Sequence, residues 1–271
     1  MPTATLDDKL AMLRAELDSL GRVVVAFSGG ADSAFLAAVA HQVLGTAGTH
    51  AVTAVSPSLA SSERDDCASL ATEWGLRWSA VETDEMVRAA YRVNDIDRCF
   101  HCKAELMDVL APIAAVEDAR VLLGVNLDDV DPTHGDHRPG QRAASEAGAS
   151  FPLVAAGFTK AEVRAASRQL GLRTWDKPAA ACLASRVPYG TEVSVAVLSR
   201  VERAEAALRA LGFVQVRVRH YEDTARIEVD LADLERVVAA RDAIVAGVRG
   251  AGYRYVTLDL EGFRSGNLNR T

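Results

Sequence analysis

Three of the four cysteines stand where their chemistry has neighbours to work with. Cys99 and Cys102 form a C-x-x-C pair, Cys99-Phe100-His101-Cys102-Lys103, just ahead of a segment with helical spacing. Taken alone, such a pair suits a zinc half-site, a redox couple or two packed small residues. The sequence holds no second C-x-x-C to complete a four-thiolate zinc site. Cys182 follows eighty residues later, inside Trp175-Asp176-Lys177-Pro178-Ala179-Ala180-Ala181-Cys182-Leu183-Ala184-Ser185-Arg186. Lys177 and Arg186 flank it, and neighbouring cations raise the thiolate fraction of a cysteine. A thiolate beside an activated carbonyl is a nucleophile, so Cys182 and Arg186 are the catalytic candidates. Cys67 has no partner in the sequence and reads as a core residue on a helix.

A second constellation is Val23-Val24-Val25-Ala26-Phe27-Ser28-Gly29-Gly30-Ala31-Asp32-Ser33. An apolar run ends in a turn of small residues, and a new apolar segment begins. Two adjacent glycines let the backbone approach an oxyanion, and the amides opening the next helix supply the attraction. Ser28 and Ser33 can add hydroxyl donors, and Asp32 can hold Mg²⁺ or cap the helix. The plain alternative is an ordinary strand-turn-helix corner. The string is neither G-x-x-x-x-G-K-[ST] nor G-x-G-x-x-G.

Both constellations need a scaffold, and the rest of the chain reads as one. Leu6, Leu10, Leu13, Leu17 and Leu20 make one apolar stripe on a helix that Gly21 ends. Apolar strands are expected at 50–55, 78–81 and 121–125, with helices over 34–44, 61–74 and 103–115. Strands that are apolar on both faces and alternate with helices predict a parallel α/β sheet with ligands at its C-terminal strand ends. Ser28 and Asn126 stand at such ends. Thr159-Lys160-Ala161-Glu162 is a capping box. The pattern breaks over 174–190, predicting a boundary near Tyr189-Gly190 between domains 1–189 and 190–271. The second should be a small α+β module, ferredoxin-like, with helices at 194–211 and 231–248 and strands at 213–219, 225–230 and 253–260. On its first strand Arg217 and Arg219 project from one face, opposite Val216 and Val218. Paired guanidiniums suit a phosphate monoester; the alternative is a solvated sheet face. The stretch Asn126-Leu127-Asp128-Asp129-Val130-Asp131, with His134, Asp136 and His137 beyond it, has the composition of a metal site but not the spacing of an oxygen-ligand loop, and is expected to be a solvated loop.

Composition narrows the function classes. The chain has 271 residues, 49% hydrophobic and 25% charged, within the ordinary globular range. Lys plus Arg is 30 against 37 Asp plus Glu, a net charge of −7, which argues against a broad nucleic-acid surface. The polar, acidic start and the lack of an apolar run of about eighteen residues argue against a signal peptide or membrane span, so the expected compartment is the cytoplasm.

Two resemblances sharpen this. Ser28-Gly29-Gly30-Ala31-Asp32-Ser33 resembles the PP-loop of the ATP pyrophosphatases, which split ATP into AMP and pyrophosphate while adenylating a substrate. Together with Arg98 to Lys103, Asp136 to Gly140, Thr159 to Arg164, the Cys182 motif and a C-terminal stretch from Asp259 to Asn269, it resembles the LarE family of ATP-dependent sulfur transferases over nearly the whole length. That resemblance implies a PP-loop fold, ATP and Mg²⁺ as cofactors, and pyridinium-3,5-biscarboxylic acid mononucleotide as substrate, on the way to the nickel-pincer nucleotide of lactate racemase. It implies that a carboxylate is adenylated, sulfur attacks, AMP leaves and a thiocarboxylate results, in a homo-oligomer. The position of Cys182 is that of the cysteine which, in single-cysteine members, gives up its sulfur. Members with Cys99 and Cys102 as well resemble enzymes that hold a [4Fe-4S] cluster by three thiolates, so the resemblance implies Cys99, Cys102 and Cys182 as metal ligands. Nucleotide binding then falls to Ser28, Gly29, Gly30, Asp32, Ser33, Asn126, Arg217 and Arg219. The competing readings are a PP-loop tRNA thiolase, an amidating ligase and a non-catalytic nucleotide-binding module.

Overall fold

A computed structural model describes residues 4–130 and 139–264. In chain order it begins with helix α1 (Leu6–Leu20), strand β1 (Val23–Ala26), α2 (Ala31–Gly48), β2 (Thr49–Val55), α3 (Ser61–Trp74) and β3 (Arg77–Glu82). Next come α4 (Ala89–Arg92), α5 (Arg98–Glu117), β4 (Arg120–Leu123), α6 (Leu127–Val130), α7 (Pro139–Glu146), α8 (Pro152–Ala155) and α9 (Lys160–Gln169). The chain then makes a 3-10 turn at Leu183–Arg186, followed by α10 (Val195–Ala210), β5 (Val216–Tyr221), β6 (Thr224–Val229), α11 (Leu234–Ala239), α12 (Arg241–Gly250) and β7 (Tyr255–Leu258).

The polypeptide folds into two units. The larger takes residues 1–56, 61–85 and 99–180; the smaller takes 57–60, 86–98 and 181–271. The turn carrying Cys182 and Arg186 thus belongs to the smaller unit, together with a short segment ahead of α5.

The larger unit is an α/β sheet of order β3-β2-β1-β4, with every pair parallel. Strands β1, β2 and β4 are largely buried because both faces of the sheet are covered there, while the edge strand β3 is only partly buried. Val23, Val25 and Ala51 pack with Leu13, Leu17 and Phe35 of α1 and α2 and with Val163 of α9. Val24, Val52, Val121 and Leu123 pack with Leu106, Met107 and Leu110 of α5. The α1 stripe buries Leu10, Leu13 and Leu17, and the helix stops at Gly21, whose φ of 69° is a conformation glycine adopts without strain.

The direction in which strands are added reverses at β1: β2 and β3 lie to one side, and β4 crosses to the other. A crevice opens at the carboxyl ends of strands at such a switch point, where open α/β sheets take their ligands. Gly124, just after β4, is what lets the first turn of α2 approach. A Cβ there would lie 2.7 Å from the Ser33 amide nitrogen and 2.8 Å from the Asp32 carbonyl carbon.

In the smaller unit β5 and β6 are antiparallel and β6 and β7 parallel, in the order β5-β6-β7. A ferredoxin-like sheet would insert a strand between β6 and β7. Here the two pair directly, so the expected split arrangement is not formed. Val216, Val218, Ile227 and Val229 of the sheet bury against Ala204 and Leu208 of α10 and Ile244 and Val248 of α12.

Candidate active site

The phosphate loop is built as its sequence implies. Phe27 is clamped to β2: its amide donates to Val52 O at 2.8 Å and its carbonyl accepts from Thr53 Oγ1 at 2.7 Å. Ser28 is exposed, and Gly29 turns the chain with φ 67°. A side chain is excluded there twice over, because a Cβ would meet Cys67 Sγ at 2.9 Å. Gly30 is the N-cap of α2 and brings no side chain to cap it, so the first amides of this helix, which is broken only at Gly45 (φ 68°), have no side-chain acceptor at that cap. Ser33 Oγ takes a bond from the Ser28 amide at 3.2 Å, lies 3.0 Å from Ser28 Oγ and donates to Gly30 O at 3.2 Å. These bonds fix the loop's curvature.

Asp32 is the loop's anion, and its partners come from far along the chain. Asn126, buried after β4, donates Nδ2 to Asp32 Oδ1 at 3.1 Å, and the ammonium of Lys160 pairs with Asp32 Oδ2. Lys160 is not a residue the sequence marks for this site, although it is the first of the helix that the Thr159-Glu162 capping box opens. The stretch after Asn126 is not the solvated loop expected of it. Residues 127–130 form α6 because Asn126 Oδ1 accepts from the Asp128 amide at 3.0 Å and its Nδ2 donates to Asp129 at 2.9 Å. Asp128 in turn accepts from the Lys160 amide at 2.9 Å. Both carboxylates are structural here, while Asp131, His134, Asp136 and His137 lie outside the described residues.

The C-x-x-C pair is not ahead of a helix but in its first turn. Asp95 sets the start: its Oδ1 accepts from the Asp97 amide at 2.9 Å and its carbonyl from the Arg98 amide at 3.1 Å. Cys99 is exposed and Cys102 partly so, three positions apart and hence on one helical face. Gly140 packs against this turn, where a Cβ would meet Cys99 O at 3.0 Å, and Arg142 stacks on Phe100 at 5.0 Å. Cys182 is exposed and precedes the 3-10 turn as its N-cap. Among the described residues no group of three or more His, Cys, Asp and Glu side chains is gathered as a metal set. Cys67 is fully buried, and burial pushes its thiol up to about 11.

Arg217 and Arg219 are not on a fully solvated face. Arg186 is 2% exposed; its Nε and Nη2 bind Glu205 at 2.8 and 3.0 Å, and its Nη1 donates to Ala181 O at 2.6 Å and Cys182 O at 3.0 Å. The guanidinium therefore fixes the backbone that carries Cys182. Arg219, 5% exposed, binds Glu228 at 3.0 Å and Ser185 O at 2.7 Å, so the 183–186 turn lies over this face of the sheet. Arg217 lies 5.1 Å from the Phe263 ring. Burial, then the charges of Arg186, Arg219 and Arg209, bring its guanidinium down to about 10, so it still carries its proton at neutral pH. Glu205 is held below the usual carboxylate range because Arg186 and Arg209 outweigh its burial. Arg186, Arg209, Arg217, Arg219 and Arg226 thus cluster with Glu205, Glu228 and Asp259. Among the described residues this cluster holds more guanidiniums than carboxylates, a setting that suits an anion. Glu205 and Glu228, on α10 and β6, carry no motif that marks them in the sequence.

A family model described as NAD synthase matches residues 6–105, the span from α1 into α5 that includes the phosphate loop and the C-x-x-C pair. An uncharacterised protein of Synechocystis sp. is 45% identical over 268 residues, 98% of each chain. The pyridinium-3,5-bisthiocarboxylic acid mononucleotide synthase of Lactiplantibacillus plantarum is 41% identical over 269 residues, 99% of this chain and 96% of its own. This chain belongs to the LarE family. An uncharacterised protein of Methanocaldococcus jannaschii is 24% identical over 90% of this chain. The likeness to the synthase covers 99% of this chain, whereas the NAD synthase match stops at residue 105. It is an enzyme family, and its PP-loop domain uses ATP. No helix among the described residues is long and apolar enough to cross a membrane.

Proposed function

We propose that this chain is an ATP-dependent sulfur transferase that converts the carboxylates of pyridinium-3,5-biscarboxylic acid mononucleotide to thiocarboxylates, for the nickel-pincer nucleotide. The observation that carries this reading is the 41% identity, over 99% of the chain, to a synthase of the bisthiocarboxylic mononucleotide. That product's name fixes the chemistry: two carboxyl carbons must exchange oxygen for sulfur, and a mononucleotide brings a phosphate monoester.

Carboxylates do not exchange oxygen unaided, because hydroxide is a poor leaving group. In the proposed sequence a carboxylate oxygen attacks the α-phosphorus of ATP, the bond to the β-phosphate oxygen breaks, and pyrophosphate leaves. A sulfur nucleophile then attacks the acyl carbon, the acyl–oxygen bond breaks, and AMP leaves. The α2 amides, Ser28, Gly29, Gly30 and Ser33 suit the departing phosphates. Asp32 would carry Mg²⁺, with Asn126 orienting its carboxylate. The surplus of arginine around Arg217 and Arg219 suits the mononucleotide's phosphate, and Arg186 positions Cys182.

Cys99 and Cys102 fit a soft metal, being two accessible thiols on one helical turn. A [4Fe-4S] cluster held by them and Cys182 would supply sulfide; the alternative donor is the sulfur of Cys182 itself. The reading includes a cytoplasmic homo-oligomer, with mass from light scattering as the check on its assembly.

The test is release of pyrophosphate and AMP on adding the pyridinium dicarboxylate mononucleotide to enzyme purified without oxygen, with iron and sulfide analysed in the same sample. Release with that substrate is expected, and release only with tRNA or ammonia would overturn the assignment. Loss of the mass of one H₂S from Cys182 in iron-free enzyme would replace the cluster by the cysteine as donor.

A further inference from the structure

Lys177 is the one basic side chain of the Cys182 motif that the proposed function leaves without a task. Its ammonium is set against the phosphate loop: Nζ lies 3.7 Å from where a Cβ on Gly29 would stand. Two carboxylates of α3 hold it there, Glu63 Oε2 at 2.8 Å and Asp66 Oδ2 at 2.7 Å, three positions apart on one helical face. The backbone that carries it is pinned as well. Arg164 of α9 donates to Trp175 O at 3.0 Å and to Lys177 O at 2.9 Å, and the Lys177 amide donates to Thr174 O at 3.2 Å.

The charges are those of a device that exchanges partners. Glu63 and Asp66 lie beside a loop whose proposed ligand carries several negative charges, and unneutralised they would repel it. Arg173 also binds Asp66, at 2.7 Å, so this carboxylate keeps a cation if the lysine turns away. An ammonium has three donors, and the two carboxylates take two of them. A lysine is also suited to the role, being a compact point charge on a flexible stem that reorients while its backbone stays fixed.

We infer that Lys177 is a phosphate ligand of this loop, held by Glu63 and Asp66 before nucleotide binds and passed to the β- and γ-phosphates of ATP when it does. The inference rests on the ATP reading above and adds to it a residue and a competition. Glu63 and Asp66 oppose nucleotide binding by retaining the lysine, and they take it back when pyrophosphate leaves.

The competition gives opposite signs for two variants, which a bracing salt bridge would not. The probes are MgATP, followed by initial-rate kinetics, and inorganic pyrophosphate, followed by calorimetry. Lys177→Met should weaken pyrophosphate binding and raise KM for ATP at least about tenfold, the scale of one lost charge-assisted hydrogen bond. It should leave KM for the pyridinium substrate unchanged. Glu63→Gln with Asp66→Asn keeps the lysine and should tighten pyrophosphate severalfold. Weaker pyrophosphate binding in the carboxylate variant, or unchanged affinity in both, would overturn the inference while wild-type binding left the ATP reading intact. Wild-type enzyme that binds neither probe would overturn both. Should Lys177→Met fail to fold, the sign of the carboxylate variant decides alone.

Discussion

Asp32 and Lys160 are bound to each other across 128 positions of sequence, the phosphate loop's carboxylate held by the first residue of α9. With Asn126 on its other oxygen, Asp32 has a fixed orientation before any metal ion arrives. Asp32→Asn should therefore leave the fold intact but reduce Mg²⁺-dependent pyrophosphate release by about a hundredfold, the scale of removing one transition-state electrostatic contact. Initial rates titrated with Mg²⁺ check this, and a variant rate within a factor of two of wild type would remove Asp32 from the site.

Arg186 supports Glu205 and the Cys182 backbone at once, and nearly all of it is buried. Arg186→Met should destabilise the smaller unit by about 3 kcal/mol, because removing one partner leaves a buried carboxylate short of counter-charge. Arg186→Lys should recover little of this, since one ammonium cannot reproduce a planar fork bound to both Glu205 oxygens and two carbonyls. Urea unfolding followed by circular dichroism measures both.

Glu117 gives an acid-side dependence whose sign can be stated. Burial raises its carboxyl, but Arg77 at 2.6 and 2.9 Å and His50 at 2.8 Å outweigh this and hold it below its ordinary 4.5. A carboxyl lowered by folding contributes stability that is present above its unfolded value and is lost as pH falls through and below that range. Glu117→Gln should flatten the fall of unfolding free energy below about pH 5. An unchanged slope across urea melts between pH 3 and 6 would contradict the assignment.

Cys67 should respond differently from the exposed thiols, and its contact with the Gly29 position can be tested separately. With its thiol buried and raised to about 11, Cys67 should escape alkylation by iodoacetamide in the native protein, whereas Cys99 and Cys182 react. Gly29→Ala should lose nucleotide binding at a strain of about 1–2 kcal/mol from its positive φ. Adding Cys67→Ala should recover only the part due to the 2.9 Å contact. Peptide mass mapping and calorimetry of the double-mutant cycle test the two statements.

Local signals carry the larger unit well. The run from Val23 to Ser33 marks strand, turn and helix, and the leucines of α1 mark its buried face, because hydrophobic period and glycine placement are written in neighbouring residues. Full-length likeness to the LarE family then accounts for the enzyme class. What stays hidden depends on residues brought together from far apart. Strand alternation places Arg217 and Arg219 on one face but cannot show that the 183–186 turn covers it. Glu205, Glu228 and Lys160 look like ordinary helix and strand charges until their partners are in place. The start of α5 escapes a reading of the sequence because its signal is the Asp95 side chain, not the apolar period that follows Lys103.

The order β3-β2-β1-β4 also governs the birth of the protein. β1 gains its second neighbour only when Arg120–Leu123 is available, so an emerging chain shorter than that presents Val23–Ala26 as a bare apolar edge. Ribosome-bound fragments ending near residue 110 should accordingly need chaperone cover, and the nucleotide pocket should appear only once the fourth strand has left the exit tunnel.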